Sequence, residues 1–500
     1  MNKTVKIIGG VLVVAALGWT GLWFWVKGQI ETRMDAEIAQ IARGGDKISF
    51  AERSVAGFPF THRTVLTDVV GEMADGQIIY KAPDLVIDWN LQERDQVTVT
   101  LPATFTGEFV PPEDLRESSP DLPERMVFDF ETVDTKIVAE GPPGVARQLQ
   151  MTGESIVMVH SFAATDAHFA IEFQKIDTNA TIPADPEVGE VISAGTLELI
   201  DYALSMVGED GRRVTMEGQV EDVQITGTSN IRQPAHLEAM MAGDLAYALS
   251  ATYNMGNAIT RIRVDGDEEN QGGTLTSTTG TSAAVMELAN GTLDLRGEAR
   301  TNAWEVTPDD EAVPYRGTVA IDMIDLIYKV PFAPSEEMLP FDVKLAMIGF
   351  QPDEVLWTAF DKDAVLARDP AEMTVDFEGT MRLTKQQGEV RPGEAPPVAF
   401  GNLIINRIDL AALGATAKAT GDVEFIQPLN LPQGRVKVTL TQVMETLTKL
   451  VEAKIVTPDF LLVGSLMAQN YLVEDPETGA MIADIEMGPT GYTINGQPLQ

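Results

Sequence analysis

Apolar and polar residues alternate with a period of two along most of this chain, in short runs bounded by Gly, Pro, Asn and Asp. That is the pattern of a β-strand with one wet face. The clearest runs are 96–109, 126–137, 148–159, 167–176, 213–226, 291–301, 316–327, 373–383 and 421–426. In 373–377, for example, Met373, Val375 and Phe377 point one way while Thr374 and Asp376 point the other. Strands wet on one face form antiparallel sheet rather than βαβ units. The expected fold is therefore mainly β, a β-rich α+β architecture of extended antiparallel sheets.

Three segments depart from this period and read as short amphipathic helices. Gln351-Pro352-Asp353-Glu354 opens one, with Pro and acids where a first turn prefers them. Thr439-Leu440-Thr441-Gln442 has the spacing of a capping box before a helix whose Val443, Leu447, Leu450 and Val451 share a face. Thr457-Pro458-Asp459 starts a third, which ends near Gln469 or Asn470. Their apolar residues Leu356, Trp357, Phe360, Leu447, Leu450, Leu462 and Leu466 are candidate lids, packed on a sheet or gating an apolar groove.

The N-terminus has a different pattern altogether. Residues 7–26 form twenty uncharged residues, enough for a helix to cross the ~30 Å hydrocarbon core of a bilayer. Lys3 and Lys6 precede the run, Lys27 follows it, and Trp19, Trp23 and Trp25 crowd its far end. The bulky exit Trp23-Phe24-Trp25 does not suit signal peptidase, so a retained anchor is expected. Residues 1–6 would be cytoplasmic and the body exported, which places it in the periplasm of a bacterium. Ile30, Met34, Ile38 and Ile41 then continue one helical face, a stalk over 27–44 that ends at Gly44-Gly45.

A first β-rich half over 45–235 and a second over 236–500 are expected, the second carrying the C-terminal helix pair. Between 233 and 244 an Ala- and Met-rich stretch interrupts the strands. The segment 123–131 echoes 370–378, with Pro, Met, Asp, Phe and Glu at matching positions. Convergent strand chemistry accounts for that echo as well as duplication does.

Composition narrows the chemistry. The chain has 75 acidic against 36 basic residues, a net charge of −39, which repels nucleic acid and anionic lipid headgroups. A solvated surface explains this charge without any cationic partner or Ca²⁺. There are no cysteines, so disulfides, thiolate nucleophiles and Cys-based metal sites are excluded. The four histidines, His62, His160, His168 and His236, fall in no zinc-binding spacing. No Gly-x-Ser-x-Gly elbow, Gly-x-Gly-x-x-Gly turn or Walker lysine occurs. The acidic loop Asp265-Gly266-Asp267-Glu268-Glu269-Asn270 lacks the Gly and Glu that an EF-hand needs at its sixth and twelfth positions. No catalytic, cofactor-binding or metal-binding residue is nominated, and no enzymatic activity or cofactor is expected.

Three segments together resemble a known family. They are Ile48 to Phe60 with its Gly57-Phe58-Pro59-Phe60 turn, the stretch Pro352 to Asp361 with Leu366 to Pro370, and the closing Tyr492 to Leu499. The chain is similar to the uncharacterised bacterial envelope proteins of domain-of-unknown-function family 2125. More distantly it resembles the AsmA-like periplasmic proteins. The first family implies no catalytic residues, and the second implies lipid handling. On the residues alone, Gly57 supplies backbone freedom, Pro59 halts pairing and two Phe bury a corner between strands. The expected function is an anchored periplasmic β-rich protein that binds or transfers phospholipid or another apolar ligand in envelope maintenance. The alternative is a non-catalytic scaffold of an inner-membrane complex. Strand order, and with it the assignment of sheet faces, is not legible at this stage.

Overall fold

A computed structural model describes residues 28, 31, 32, 34, 35, 38, 39 and 46–499, without 58–60, 74–75, 91–94, 114–115, 117–122, 142–146, 163–165, 185–188, 209, 232–235, 237–238, 241–243, 245, 268–270, 311–312, 314–315, 386–396, 428 and 490. The anchor expected over 7–26, most of the stalk, and Phe58, Pro59 and Phe60 of the corner motif lie outside the described residues. No helix among the described residues is long and apolar enough to cross a membrane. The chain divides into two compact units, Met1–Gly211 and Arg212–Gln500.

The first unit contains β1 (Lys47–Ser49), β2 (Glu52–Ala56), β3 (Thr61–Met73), β4 (Ile78–Asn90), β5 (Gln96–Thr100) and β6 (Thr104–Phe109). It continues with β7 (Met126–Val133), β8 (Lys136–Glu140), β9 (Gln148–Phe162), β10 (Ala167–Thr181) and β11 (Val191–Val207). These form one antiparallel meander. β1 and β2 pair with β3, β3 with β4, and β4 with both β5 and β6. β5 pairs with β8, β6 with β7, and both lead to β9, β10 and β11. The expected runs 96–109 and 126–137 are thus each two strands, broken at the same level. Pro102 cannot donate to the ladder there. Thr132 repairs the gap, donating its hydroxyl to the Pro102 carbonyl at 2.7 Å and its amide to Ala103 O at 2.9 Å.

The second unit contains β12 (Arg213–Ser229), β13 (Leu249–Met255), β14 (Ala258–Val264), β15 (Gly273–Ala289), β16 (Thr292–Pro308), β17 (Gly317–Pro331) and β18 (Leu339–Pro352). Helix α1 (Glu354–Phe360) follows, then β19 (Ala371–Leu383), β20 (Val398–Ala412), β21 (Ala415–Ile426) and β22 (Leu431–Thr441). The chain ends with α2 (Val443–Glu452), α3 (Pro458–Tyr471), β23 (Val473–Glu474), β24 (Met481–Gly488), β25 (Gly491–Ile494) and β26 (Gln497–Pro498). From β15 to β22 each strand pairs with the next, and β22 then pairs with β24. The Ala/Met-rich stretch lies between β12 and β13, which pair with each other.

The expected helix starts are met in two cases and corrected in one. Asp353 caps α1, its carboxylate accepting from the Leu356 amide at 2.9 Å, and Pro458 opens α3. The capping box is absent: Thr439 and Thr441 remain in β22, and Gln442 precedes α2 in a left-handed conformation without a side-chain cap. Pairing of Thr439 with Lys418 and Ile482 on its two neighbours outweighs the local signal.

A line of left-handed residues crosses the ladders of each unit. In the first it includes Asp68 (φ 51°), Asp134 (φ 48°) and Lys175 (φ 52°); in the second, Asp222 (φ 52°), Thr301 (φ 54°) and Gly349 (φ 76°). At each line pairing skips a position, for instance between Thr67↔Asp84 and Val69↔Ala82, or between Arg300↔Met323 and Asn302↔Ile321. The odd residue shifts the alternation by one, so the apolar set stays on the same face beyond it. In the first unit Leu66 and Val69 accordingly share one buried cluster with Met34 and Ala82, against which Ile38, Tyr80 and Phe105 also pack.

Candidate apolar trough

Residues directly opposite on paired strands share a face, so the registers assign both faces of the sheet. In the second unit one row runs through ten strands, β15 to β22 and then β24 and β25: Met286, Leu295, Tyr328, Val343, Phe377, Ile405, Gly421, Val436, Ile485 and Ile494. The next begins Ala284, Gly297, Leu326, Leu345, Val375 and Ile408 and ends at Ala483. A third passes Ala299, Ile324, Met347, Met373, Leu410, Ala417 and Leu440 to Met481. None of these rows holds a charged residue. At ~4.8 Å between strands, ten strands extend over roughly 43 Å.

The opposite face is charged. Glu287, Asp294, Lys329, Asp342 and Glu378 follow one another across five strands. Lys344 bonds Asp325 at 2.6 Å, and Arg435 bonds both Asp484 at 2.6 Å and Glu486 at 2.8 Å. The hydrogen bond from Arg296 holds the Asp294 carboxyl below its ordinary value. Burial, reinforced by Asp376, Glu378 and Asp294, pushes Asp342 up.

A sheet face packed under a second layer would be dry. Here most of the apolar rows are half-buried, and Tyr328 and Leu410 are 39% and 46% exposed. At one end Phe341 and Val423 are buried, and Phe341, Phe400 and Phe425 meet ring to ring at 6.2 and 5.3 Å. We call this half-open apolar face, with aromatic rings meeting at one end, the trough.

The first unit repeats the arrangement. One row passes Gly71, Tyr80, Gly107, Phe128, His160, Phe169 and Leu204, and the row beside it Phe105, Phe130, Met158, Ile171 and Tyr202. Phe105 and Phe130 stack at 4.6 Å. On the other face the half-exposed Lys81 and Arg125 both bond the buried Glu108 carboxylate.

The candidate lid residues fall in three settings. Leu356 and Trp357 are buried, Leu356 over Gly317 of β17 and Trp357 beneath the Arg368 guanidinium at 5.8 Å, while Phe360 is exposed. Leu447 rests against Gly464 of α3, and Leu450 is half-buried. Leu462 and Leu466 are exposed. Thr446 ties α2 to the β20–β21 turn through a 3.2 Å bond to Leu413 O. Gly57 takes φ 103°, the conformational freedom expected of it.

His160 and His168 do sit on neighbouring strands, but His160 is opposite Phe169 and His168 opposite Ser161, so they face opposite ways. In the acidic loop, Asp265 bonds Arg263 at 3.2 Å, and Asp267 lies 3.9 Å from Arg212. Among the described residues no group of three His, Asp or Glu is placed to hold a metal ion. The trough itself went unread because it is assembled from ten strands, although β19 alone displayed its pattern.

No curated protein matches this chain, and no solved structure matches it either. The likeness to AsmA-like proteins is therefore not shown. Residues 23–154, which run from the end of the apolar N-terminal stretch into β9, match the model of a family described as an uncharacterized protein conserved in bacteria, DUF2125.

Proposed function

We propose that this protein is a non-catalytic lipid-binding protein of the bacterial envelope, tethered to the inner membrane by residues 7–26 with its body in the periplasm. The observation that carries this reading is the uncharged, half-open face formed by ten strands of the second unit. An apolar surface of this size left to water marks a binding site. Acyl chains laid on it replace water at about 25 cal/mol per Å² of apolar surface removed, which suffices without any reaction. The rows offer no cation to a phosphate, so recognition rests on the chains rather than on the headgroup.

The test is native mass spectrometry with lipid extraction on the chain from residue 28 onward, which keeps Met34 and Ile38 in their cluster. Co-purified lipid at a fixed stoichiometry is expected, and Ile408→Glu or Val436→Glu in the trough should abolish it. A clean apo mass for the unaltered protein would overturn the reading. It would favour the scaffold alternative, acting through the charged face.

A further inference from the structure

We infer that Arg53 is a headgroup site, holding the phosphate of a phospholipid whose acyl chain lies along the apolar face of the first unit. This rests on the lipid reading above. The rows of the second unit offer a phosphate no cation, whereas the first unit carries one on its apolar face. Arg53 on β2 lies opposite Leu66, a member of the buried apolar cluster, so both residues stand on that face. Arg53 is the only Lys or Arg there on β1 to β4, because Lys47, Arg63 and Lys81 bond Glu72, Asp88 and Glu108 on the opposite face.

The bonding of Arg53 sets it apart. Its side chain is 22% exposed, yet among the described residues it makes a single hydrogen bond, from Nη1 to Asp35 Oδ1 at 2.7 Å. Arginines on the charged faces set two nitrogens on one carboxylate, as Arg63 does on Asp88 and Arg296 on Asp294. A guanidinium is a planar fork of N–H donors that fits a phosphate through paired parallel bonds. Arg53 keeps most of that fork for a ligand. Its partner Asp35 is 62% exposed, so releasing the carboxylate to water in exchange for a phosphate costs little.

An acyl chain can extend from this point. The row beside Arg53 passes Val55, Thr64, Ile87, Val99, Ile137 and Met151, from β2 to β9. It holds no charge, and all of these but the buried Thr64 are half-buried. At ~4.8 Å between strands the row runs for roughly 24 Å. The membrane lies near the same edge. Gly28 and Asp35 are both helical, with a rise of ~10 Å from one to the other. With residues 7–26 as the anchor, Arg53 is held within reach of the bilayer's headgroups.

Photocross-linking of the full chain in detergent micelles tests this, with a phosphatidylcholine and a diacylglycerol that carry the same photoreactive acyl chain. Phosphatidylcholine cross-links in the first unit are expected, and Arg53→Gln should lower them about tenfold or more, the worth of a hydrogen bond to a charged group. Diacylglycerol cross-links, and those in the second unit, should not change. Arg53→Lys should keep part of the signal. Asp35→Asn, which removes the competitor of the phosphate, should raise it. Undiminished phosphatidylcholine labelling in Arg53→Gln would overturn the inference. So would an equal loss of both probes in Arg53→Gln and Asp35→Asn with a lowered Tm, which marks a pair that only pins the helix. Cross-links confined to the second unit also overturn it, and keep the lipid reading. If neither unit is labelled, the lipid reading fails. Calorimetric binding of glycerophosphocholine that Arg53→Gln abolishes would then keep the phosphate site, and no such binding would sink both. Inorganic phosphate bound more tightly than glycerophosphocholine would mark a free-phosphate site and overturn the headgroup assignment.

Discussion

Leu66 and Val69 lie three residues apart on β3 yet bury in the same apolar cluster, because Asp68 between them adopts φ 51°. In a regular strand an odd spacing would send them to opposite faces. Aspartate tolerates the left-handed region because its short side chain bonds locally, whereas a β-branched residue does not. Asp68→Val is therefore expected to cost about 1–3 kcal/mol, and Asp68→Asn or Asp68→Gly much less. Urea denaturation of the three variants checks this order. Equal stabilities would show that the crease tolerates any residue.

The same slip explains what could and could not be read from the sequence. Period-two alternation located β9, β10, β12, β16, β17 and β19, each with one wet face, but did not single out β11, β13, β14, β15 or β18. The alternation cannot say that Met151 and Met158, an odd number of residues apart on β9, lie on continuing rows either side of Glu154. Strand order was needed for that, and so for the trough, since no single strand supplies more than a few of its residues. The start of α1 was legible because Asp353 caps it locally. The start of α2 was not, because cross-strand pairing of Thr439 and Thr441 is a tertiary effect.

Gly71 and Tyr80 form a second constraint. A Cβ on Gly71 would lie 1.9 Å from Tyr80 Cε1, since the ring lies flat over the glycine on the neighbouring strand. Gly71→Ala should destabilise the first unit by about 1–3 kcal/mol, the usual cost of overpacking. In a Tyr80→Val background that cost should largely vanish, giving a coupling of roughly 0.5–3 kcal/mol in a double-mutant cycle. Additive effects would place the strain elsewhere than in the ring.

Glu108 makes stability depend on acid. The hydrogen bond from Lys81 is the largest cause of its lowered pKa, opposed by burial and helped by Arg125. A carboxylate depressed in the folded state contributes stability that is complete above its unfolded value of about 4.3 and fades as pH falls through the folded one. Glu108→Gln should thus cost on the order of 1 kcal/mol at neutral pH, since both cations are half in water. The gap between wild type and variant should close as pH drops below about 4. A gap that stays constant down to strong acid would mean the ion pairs contribute nothing.

Asp342 should behave with the opposite sign. It pairs with Lys329 on β17 but with Glu378 on β19, and burial raises its pKa with further help from Asp376, Glu378 and Asp294. The folded state therefore binds this proton more tightly than the unfolded chain does. Ionisation costs stability at every pH above the raised value, and the cost is relieved as pH falls through it. Asp342→Asn removes a half-buried charge, burial being the largest cause of the raised pKa, and the like-charge neighbour of Glu378, while also removing the partner of Lys329, the smallest of these influences. The variant should be more stable than wild type at neutral pH, by roughly 0.2–1 kcal/mol on the scale of directly opposed cross-strand charges. That advantage should disappear below the carboxylate range, where Asp342 is protonated in both states. Calorimetric melting of both proteins across that range decides the matter. A neutral-pH melting temperature lowered by the substitution would show that Lys329, rather than the surrounding acids, governs the site.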